Sequence, residues 1–324
     1  MYSTTPRYKQ LYACGELARR AAMLRDLWAR CRLCPWECRV NRPGGERGRC
    51  GATAVLKVAK ALPHFGEEPP VSGTRGSGTI FFSHCHLRCC FCQNYQISQE
   101  GLGTFISVEQ LAQQMLSLQE QGCHNINLVS PTHYLPLIVQ ALHSAAARGL
   151  QLPLVYNSNG YESVETLRVL DGIVDIYLPD AKYGTATSAQ RYSRACGYPS
   201  VNMAAIKEMF RQVGYLATDH AGIAVKGLII RHLVLPDNPA RTETLLQSLR
   251  SIMGTEIHIS LMGQYQPVFN AHRNPEINRR PTTEEYQRAV HALCRLGFEN
   301  GWVQDPENID AEFLPDFEKS DSWN

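Results

Sequence analysis

Three observations predict an α/β protein built around a parallel sheet. From residue 78 onward, six short runs rich in Ile, Val and Leu alternate with six stretches of helical character, the pattern of repeated βα units. The apolar runs show little strict alternation of apolar and polar residues, as in strands buried on both faces. Each run also ends in a short polar segment with chemically capable side chains. Such segments belong at the carboxyl ends of parallel strands, where this class of sheet gathers its ligands.

The elements follow in chain order. Residues 10–30, QLYACGELARRAAMLRDLWAR, place Leu11, Leu17, Ala21, Leu24, Leu27 and Trp28 at helical spacing and predict an amphipathic helix. A Cys- and Gly-rich segment from Cys31 to Gly51 comes next. Strands are expected at Thr79–Ser83, Asn125–Ser130, Pro153–Ser158, Val174–Leu178, Gly227–Leu235 and Ile257–Met262. Helices are expected between and after them, at Val108–Gln121, Leu135–Arg148, Val164–Leu170, Ser188–Val213, Thr242–Met253 and Thr283–Leu296. The last opens with PTTEEY, in which Thr282 or Thr283 caps the helix and acids fill its first turn. The expected organisation is a helix and Cys-rich extension over 1–74, a core domain over 75–300 and a tail over 301–324. Sequence order alone leaves an open sheet and a partial barrel as alternatives.

Composition narrows the class. The chain has 324 residues, 44% of them hydrophobic, and a net charge of +2. No apolar run approaches the roughly 20 residues that cross a bilayer. The opening MYSTTPRYKQ has no apolar core of a secretory signal, so a cytoplasmic location is expected. There, twelve cysteines point to metal binding or catalysis rather than to disulfides. The first fifty residues carry eleven Lys and Arg against four Asp and Glu, and the remainder 21 against 26. A basic arm of this kind meets nucleic acid or an acidic protein, or is simply a solvated Arg-rich helix. Nucleic acid is disfavoured, because the aromatics of the arm do not alternate with its arginines as base stacking asks.

The stretch HCHLRCCFCQNYQIS, His84 to Ser98, holds Cys85, Cys89, Cys90 and Cys92. Cys85, Cys89 and Cys92 form C-x3-C-x2-C, which can wrap three corners of a [4Fe–4S] cluster and leave one iron open. Zinc is the rival occupant, although structural zinc asks for four ligands. Cys90, directly beside Cys89, reads as packing. The later strand ends carry SPTH (130–133), NSNG (157–160), PDAK (179–182), RHLVLPDN (231–238) and MGQYQP (262–267), and together they argue for one site at one rim. A second set, CRLCPWECRVNRPGGERGRCG, offers Cys31, Cys34, Cys38 and Cys50, with Pro43, Gly44 and Gly45 turning the chain back. Four thiols at this spacing read as a closed metal site that suits zinc or an auxiliary iron–sulfur cluster. Cys14, Cys123, Cys196 and Cys294 are scattered and receive no role.

C-x3-C-x2-C after the first strand of a βα barrel, with the aromatic Phe91 before the last cysteine, resembles the radical S-adenosylmethionine (SAM) superfamily over about residues 75–300. Within it, CFCQNYQIS, SPTHY, YNSNGYE, DIYLPDAKY, IRHLVLP and ISLMGQYQP are most similar to the group related to pyruvate formate-lyase activating enzymes. The resemblance implies a partial (β/α)6 TIM-like barrel of the radical SAM type, preceded by the helix and the four-cysteine extension. It implies a [4Fe–4S] cluster on Cys85, Cys89 and Cys92, with SAM chelating the open iron. One electron, from a flavodoxin- or ferredoxin-like donor, then breaks the sulfonium C–S bond to give a 5′-deoxyadenosyl radical that takes a hydrogen atom from the substrate. Implied SAM contacts are Asn157, Asp180, Lys182 and, with less weight, Arg231 and Gln264. Ser130, Thr132 and His133 stand where relatives carry Gly-Gly-Glu, a departure from the pattern. The expected function is an oxidoreductase of this kind, with a glycyl-radical-enzyme activase-like role on a protein substrate. The alternatives are a radical SAM enzyme acting on RNA or a small molecule, or a non-catalytic zinc-binding nucleic-acid module.

Overall fold

The computed structural model describes residues 5–304 and 314–319; most of the tail expected at 301–324 lies outside the described residues. The chain opens with α1 (Arg7–Ala13) and α2 (Glu16–Ala29). They divide the helix expected over 10–30, because Gly15 adopts a left-handed turn (φ 74°) at their junction. The buried stripe of α2 is Leu17, Ala21, Leu24, Leu27 and Trp28, as the spacing predicts. There follow β1 (Leu56–His64), α3 (Pro69–Ser72), β2 (Ser77–Phe82), α4 (Tyr95–Ser98), β3 (Thr104–Ile106) and α5 (Val108–Glu120). Next come β4 (Ile126–Val129), α6 (Leu135–Ala147), β5 (Leu154–Ser158), α7 (Val164–Val169), β6 (Ile176–Pro179), α8 (Ala186–Ser193) and α9 (Tyr198–Val213). The chain continues through β7 (Ala217–Thr218), β8 (Ala224–Leu233), α10 (Thr242–Met253), β9 (His258–Met262), α11 (Thr283–Arg295) and β10 (Gly301–Val303).

The helix expected over 188–213 is two helices. Arg194 closes α8 in a left-handed conformation (φ 56°), and Pro199 sits in the first turn of α9, where its missing N–H costs nothing. The capping of α11 is the one read from PTTEEY: Thr282 accepts from the Glu285 N–H, and the Glu285 side chain answers the Thr282 N–H.

The strands lie in the order β10-β9-β8-β6-β5-β4-β2-β1-β3, with β7 paired to β8. From β2 through β4, β5, β6, β8 and β9 to β10 every neighbour is parallel. These include all six expected strands. β1 joins β2 antiparallel, and β3 joins β1 antiparallel, so residues 1–74 contribute a strand to the same sheet. β3 and β10 end the path, so the sheet does not close, and residues from strands at both of its ends, among them His64 of β1 and Trp302 of β10, line one cavity with Arg231 and Met262, so it curves into a partial barrel. Its outer face packs Ile126, Leu128, Leu154, Tyr156, Leu228, Ile230 and Ile259 with the helix leucines into the main core. Its inner face packs Val155, Ile176, Leu178 and Ile229 around Val71 of α3, so a short helix plugs the barrel. Asn125 Nδ2 holds the plug by donating to the Val71 carbonyl at 2.7 Å, and Asn125 Oδ1 accepts from Ser77 at 2.6 Å. Two buried faces explain the near-continuous apolar character of the strands. Among the described residues, no helix is long and apolar enough to cross a membrane.

Candidate active site

The loop after β2 is set by a sharp exit. His84 takes a left-handed conformation (φ 73°), and its N–H donates to the Ile97 carbonyl at 2.7 Å. That bond ties the start of the loop to α4 and folds the cysteines between them. Cys85 and Cys89 are 8% and 7% exposed, and Cys92 is half-buried. Each sulfur has a polar partner. Asn159 Nδ2 donates to Cys85 Sγ at 3.4 Å, Ser193 Oγ to Cys89 Sγ at 2.9 Å, and Ser98 Oγ lies 3.2 Å from Cys92 Sγ. Cys90 has a different environment: its N–H donates to the Tyr192 carbonyl, its carbonyl accepts from Asn270, and its sulfur meets Asn274 Nδ2 at 3.6 Å. Burial, reinforced by the neighbouring thiols, pushes Cys85 up to about 12 and Cys92 up to about 11. Such thiols stay protonated at neutral pH until a metal displaces the proton.

The loop forms one wall of a cavity of about 420 Å³ at the carboxyl ends of the strands, a size proper to a small-molecule or cofactor site. Cys85, Cys89, Cys92, Ser130, Asn157, Asp180, Lys182, Arg231 and Gln264 all line it. Ser130 leaves β4 in a left-handed conformation (φ 55°), its N–H on the Asn157 carbonyl at 2.9 Å. Lys182 Nζ lies 2.5 Å from Asp180 Oδ2. Burial works against the Lys182 ammonium, but Asp180 outweighs it and raises its pKa, and Cys89 would add to this once it is a thiolate, so the pair is ionic. The Asp180 backbone is pinned from below, because its carbonyl accepts from Asn202 Nδ2 at 2.9 Å and from the Tyr198 hydroxyl at 3.0 Å. The Gln264 side chain accepts from Gln304 Nε2 at 2.5 Å, and its carbonyl accepts from Gln93 at 3.0 Å.

Two expected contacts are not brought to this cavity. Thr132 is fully buried and donates to Glu162 at 2.8 Å, with the Tyr156 hydroxyl at 3.1 Å. His133 is 2% exposed, with Nε2 at 2.8 Å from the Ser83 carbonyl and its ring against Tyr134. The left-handed turn at Ser130 and the 3-10 turn over Thr132–Tyr134 place both beneath the rim. The second cysteine set, Cys31, Cys34, Cys38 and Cys50, lies outside the cavity, behind the Cys85–Cys89 segment.

Several residues of the site went unread in the sequence. Glu67 and Glu68, in the turn between β1 and α3, line the cavity and both pair with Arg231. Glu68 holds Arg231 through Oε1 and Oε2, each at 2.7 Å, and Glu67 also accepts from Asn127 Nδ2 at 2.7 Å. The Glu-Glu-Pro-Pro run is the one local signal that marks this turn. Ser193, more than a hundred residues from Cys89, carries none.

The donor set fits an iron–sulfur cluster. Three soft sulfur ligands sit at the wall of the cavity, each with a neighbour able to stabilise thiolate, and the fourth local cysteine turns to other partners. Among known proteins, residues 79–214 match the radical SAM superfamily. The uncharacterized protein MJ0674 of Methanocaldococcus jannaschii is 30% identical over 276 residues, covering 82% of this chain and 75% of that protein. A crystal structure of HydG, a maturase of the [FeFe]-hydrogenase, aligns over 66% of this chain and 47% of its own, with a TM-score of 0.45 and 14% identity. HydG from Carboxydothermus hydrogenoformans aligns over 69% and 52%, with a TM-score of 0.46 and 14% identity. The chain thus spans about half the length of these two structures. With the cysteine loop after the first parallel strand and a family match running from that strand into α9, the chain belongs to the radical SAM superfamily.

Proposed function

We propose that the protein reductively cleaves SAM at a [4Fe–4S] cluster on Cys85, Cys89 and Cys92, and acts by hydrogen-atom abstraction. The observation that carries this reading is the meeting of the three cysteines with Ser130, Asn157, Asp180, Lys182 and Gln264 around one cavity. A cluster held by Cys85, Cys89 and Cys92 would supply the single electron that breaks the sulfonium C–S bond of SAM into methionine and a 5′-deoxyadenosyl radical. Lys182, oriented by Asp180, presents an ammonium suited to a carboxylate. Asn157 and Gln264 present amides, and Ser130 a hydroxyl and carbonyl, for the polar groups of a nucleoside or amino acid. Phe81, Phe91, Ile97 and Val129 wall the cavity and keep water from a reactive intermediate.

Two substrate classes remain in this reading. The similarity of the strand-end segments to activating enzymes favours a protein substrate and an activase-like role. The Glu67–Glu68–Arg231 group in the cavity favours a small polar substrate, because buried charges recognise charged groups selectively. The electron comes from a flavodoxin- or ferredoxin-like protein. Behind Cys90 the surface carries a cleft lined by Arg88, Arg191, Arg194 and Arg273, which suits an acidic donor. The test is anaerobic incubation of the iron-loaded protein with dithionite and SAM, measuring 5′-deoxyadenosine. Production by the wild type and none by a Cys85→Ala/Cys89→Ala/Cys92→Ala variant supports the proposal. Equal production by both, or none by either at full iron content, rejects it.

A further inference from the structure

The cysteines of the N-terminal extension face a buried cation that has no carboxylate partner among the described residues. Residues 31–40 fold back on themselves: the Cys31 N–H donates to the Val40 carbonyl and the Arg39 N–H to the Cys31 carbonyl, both at 3.0 Å. Glu37 and Arg39, at φ 38° and 55°, make the turn. The Glu37 N–H also donates to the Cys34 carbonyl at 3.1 Å, so Cys31, Cys34 and Cys38 share one short closed loop. Gly48 leaves the space they need, since a Cβ there would stand 2.9 Å from Cys38 Sγ and 3.4 Å from Arg42 Nη2.

Arg42 is only 2% exposed. Its Nη2 donates to Cys50 Sγ at 2.7 Å and its Nη1 to the Ala52 carbonyl at 2.9 Å, while Nε has no partner among the described residues. A buried guanidinium needs a counter-charge, and neutral thiols do not supply one. Thiolates do, and in a buried site they persist when a metal holds them.

We propose that Cys31, Cys34, Cys38 and Cys50 bind a second metal as a four-thiolate anion, zinc or an iron–sulfur cluster, with Arg42 as its counter-cation. Among the described residues no three ligating groups already converge on a single ion. Binding therefore rotates the side chains inward, or involves a cluster that keeps its ligands farther apart. The position gives the centre a purpose. Trp36, between Cys34 and Cys38, donates Nε1 to the His86 carbonyl at 2.8 Å, and its ring lies 5.3 Å from Tyr161. Arg49, beside Cys50, covers Trp36 at 3.6 Å, and its carbonyl accepts from Arg88 at 3.0 Å. The metal would fix the backing of the Cys85–Cys89 segment from outside. This inference stands independently of the radical chemistry.

The test uses the full chain. Iron, sulfide and zinc are measured in the wild type and in the Cys85→Ala/Cys89→Ala/Cys92→Ala variant, and iodoacetamide labelling is followed by mass spectrometry in the wild type. The variant should keep about one zinc or about four irons per chain, which also identifies the metal. The half-buried Cys34 and Cys38 should label roughly tenfold or more slowly than exposed Cys14, Cys196 and Cys294. A chelator should remove that protection, and Arg42→Met should weaken metal retention while Arg42→Lys preserves it. A variant without metal after both zinc and iron–sulfide reconstitution, together with wild-type Cys34 and Cys38 labelling as fast as Cys14, would overturn the proposal. Failure of SAM cleavage with metal retained in the variant would reject the radical reading and leave this one standing.

Discussion

Lys182 and the sulfur neighbours carry the sharpest residue-level consequences. Lys182 is oriented by Asp180 at 2.5 Å in a wall that also holds Cys89 and Cys92. Lys182→Met should weaken SAM binding by roughly ten- to a hundredfold, the worth of a charged hydrogen bond, with little change in iron content; isothermal titration and iron analysis check this. Ser193 and Asn159 donate to cysteine sulfurs, and such bonds favour the more negative, reduced cluster. Ser193→Ala should therefore lower the reduction potential, and a redox titration that finds it unchanged or higher would contradict the assignment. The three cysteines and the Asp180–Lys182 pair were legible because their meaning lies in local spacing and in a strand end. Thr132 and His133 stand at a strand end by sequence but do not line the cavity, because one left-handed residue, Ser130, redirects the chain. Arg231 showed its partners Glu67 and Glu68 only in the fold, across more than 160 residues of sequence.

Element packing makes Gly160 and Glu162 decisive. Gly160, at φ 71°, leaves no room for a side chain, since a Cβ would come 2.1 Å from the Asp180 carbonyl oxygen. Gly160→Ala should destabilise the protein by about 2–4 kcal/mol and displace Asp180. A thermal melt and a SAM titration read both effects. Glu162 joins the β5 end to the turn after β4 through Thr132 and Tyr156. Burial, opposed by these hydrogen bonds, pushes its carboxyl up to about 8 from an ordinary 4.5. Its stabilising contribution is complete below pH 4.5, declines as pH rises and is lost above about 8. Buried His86 and His232 do the reverse: burial lowers them to about 4, so their contribution is lost as pH falls from 6.5 through 4. Glu162→Gln should flatten the alkaline loss, by on the order of a few kcal/mol, in denaturant melts between pH 5 and 9, and leave the acid limb intact. Six of the seven parallel strands were readable because burial on both faces leaves a continuous apolar run. β1 was not, since LKVAKALPH carries two lysines, a proline and a histidine and is mostly half-buried. Its Pro63 is accommodated because β3 pairs only with Leu56–Val58, leaving the rest of β1 bonded on one side. β10 is only three residues long, too short for a pattern.

At the scale of the molecule, the barrel presents two approaches to the cysteine loop. The cavity lies on one side, and the arginine-lined cleft lies behind Cys90 on the other. In the proposed reaction, substrate and electron would arrive from different faces. Arg194→Glu with Arg273→Glu should cut flavodoxin-driven SAM cleavage roughly tenfold or more at low salt while leaving the dithionite-driven rate unchanged. Equal losses with both reductants would mean that the arginines support the fold rather than the donor. The α/β class and the shared rim were legible because both follow from the repeated βα pattern. The closing strands and the plug were not, since Val71 and β10 acquire their roles only when the sheet curves around them. The proposed chemistry depends on Cys85, Cys89 and Cys92 holding a cluster with an open iron facing the cavity. The most direct measurement is the electron paramagnetic resonance spectrum of the anaerobically reconstituted, dithionite-reduced protein before and after SAM is added. The expected result is a reduced-cluster signal that changes on SAM addition and disappears in the Cys85→Ala/Cys89→Ala/Cys92→Ala variant. A signal indifferent to SAM, or one that survives unchanged in that variant, would contradict it.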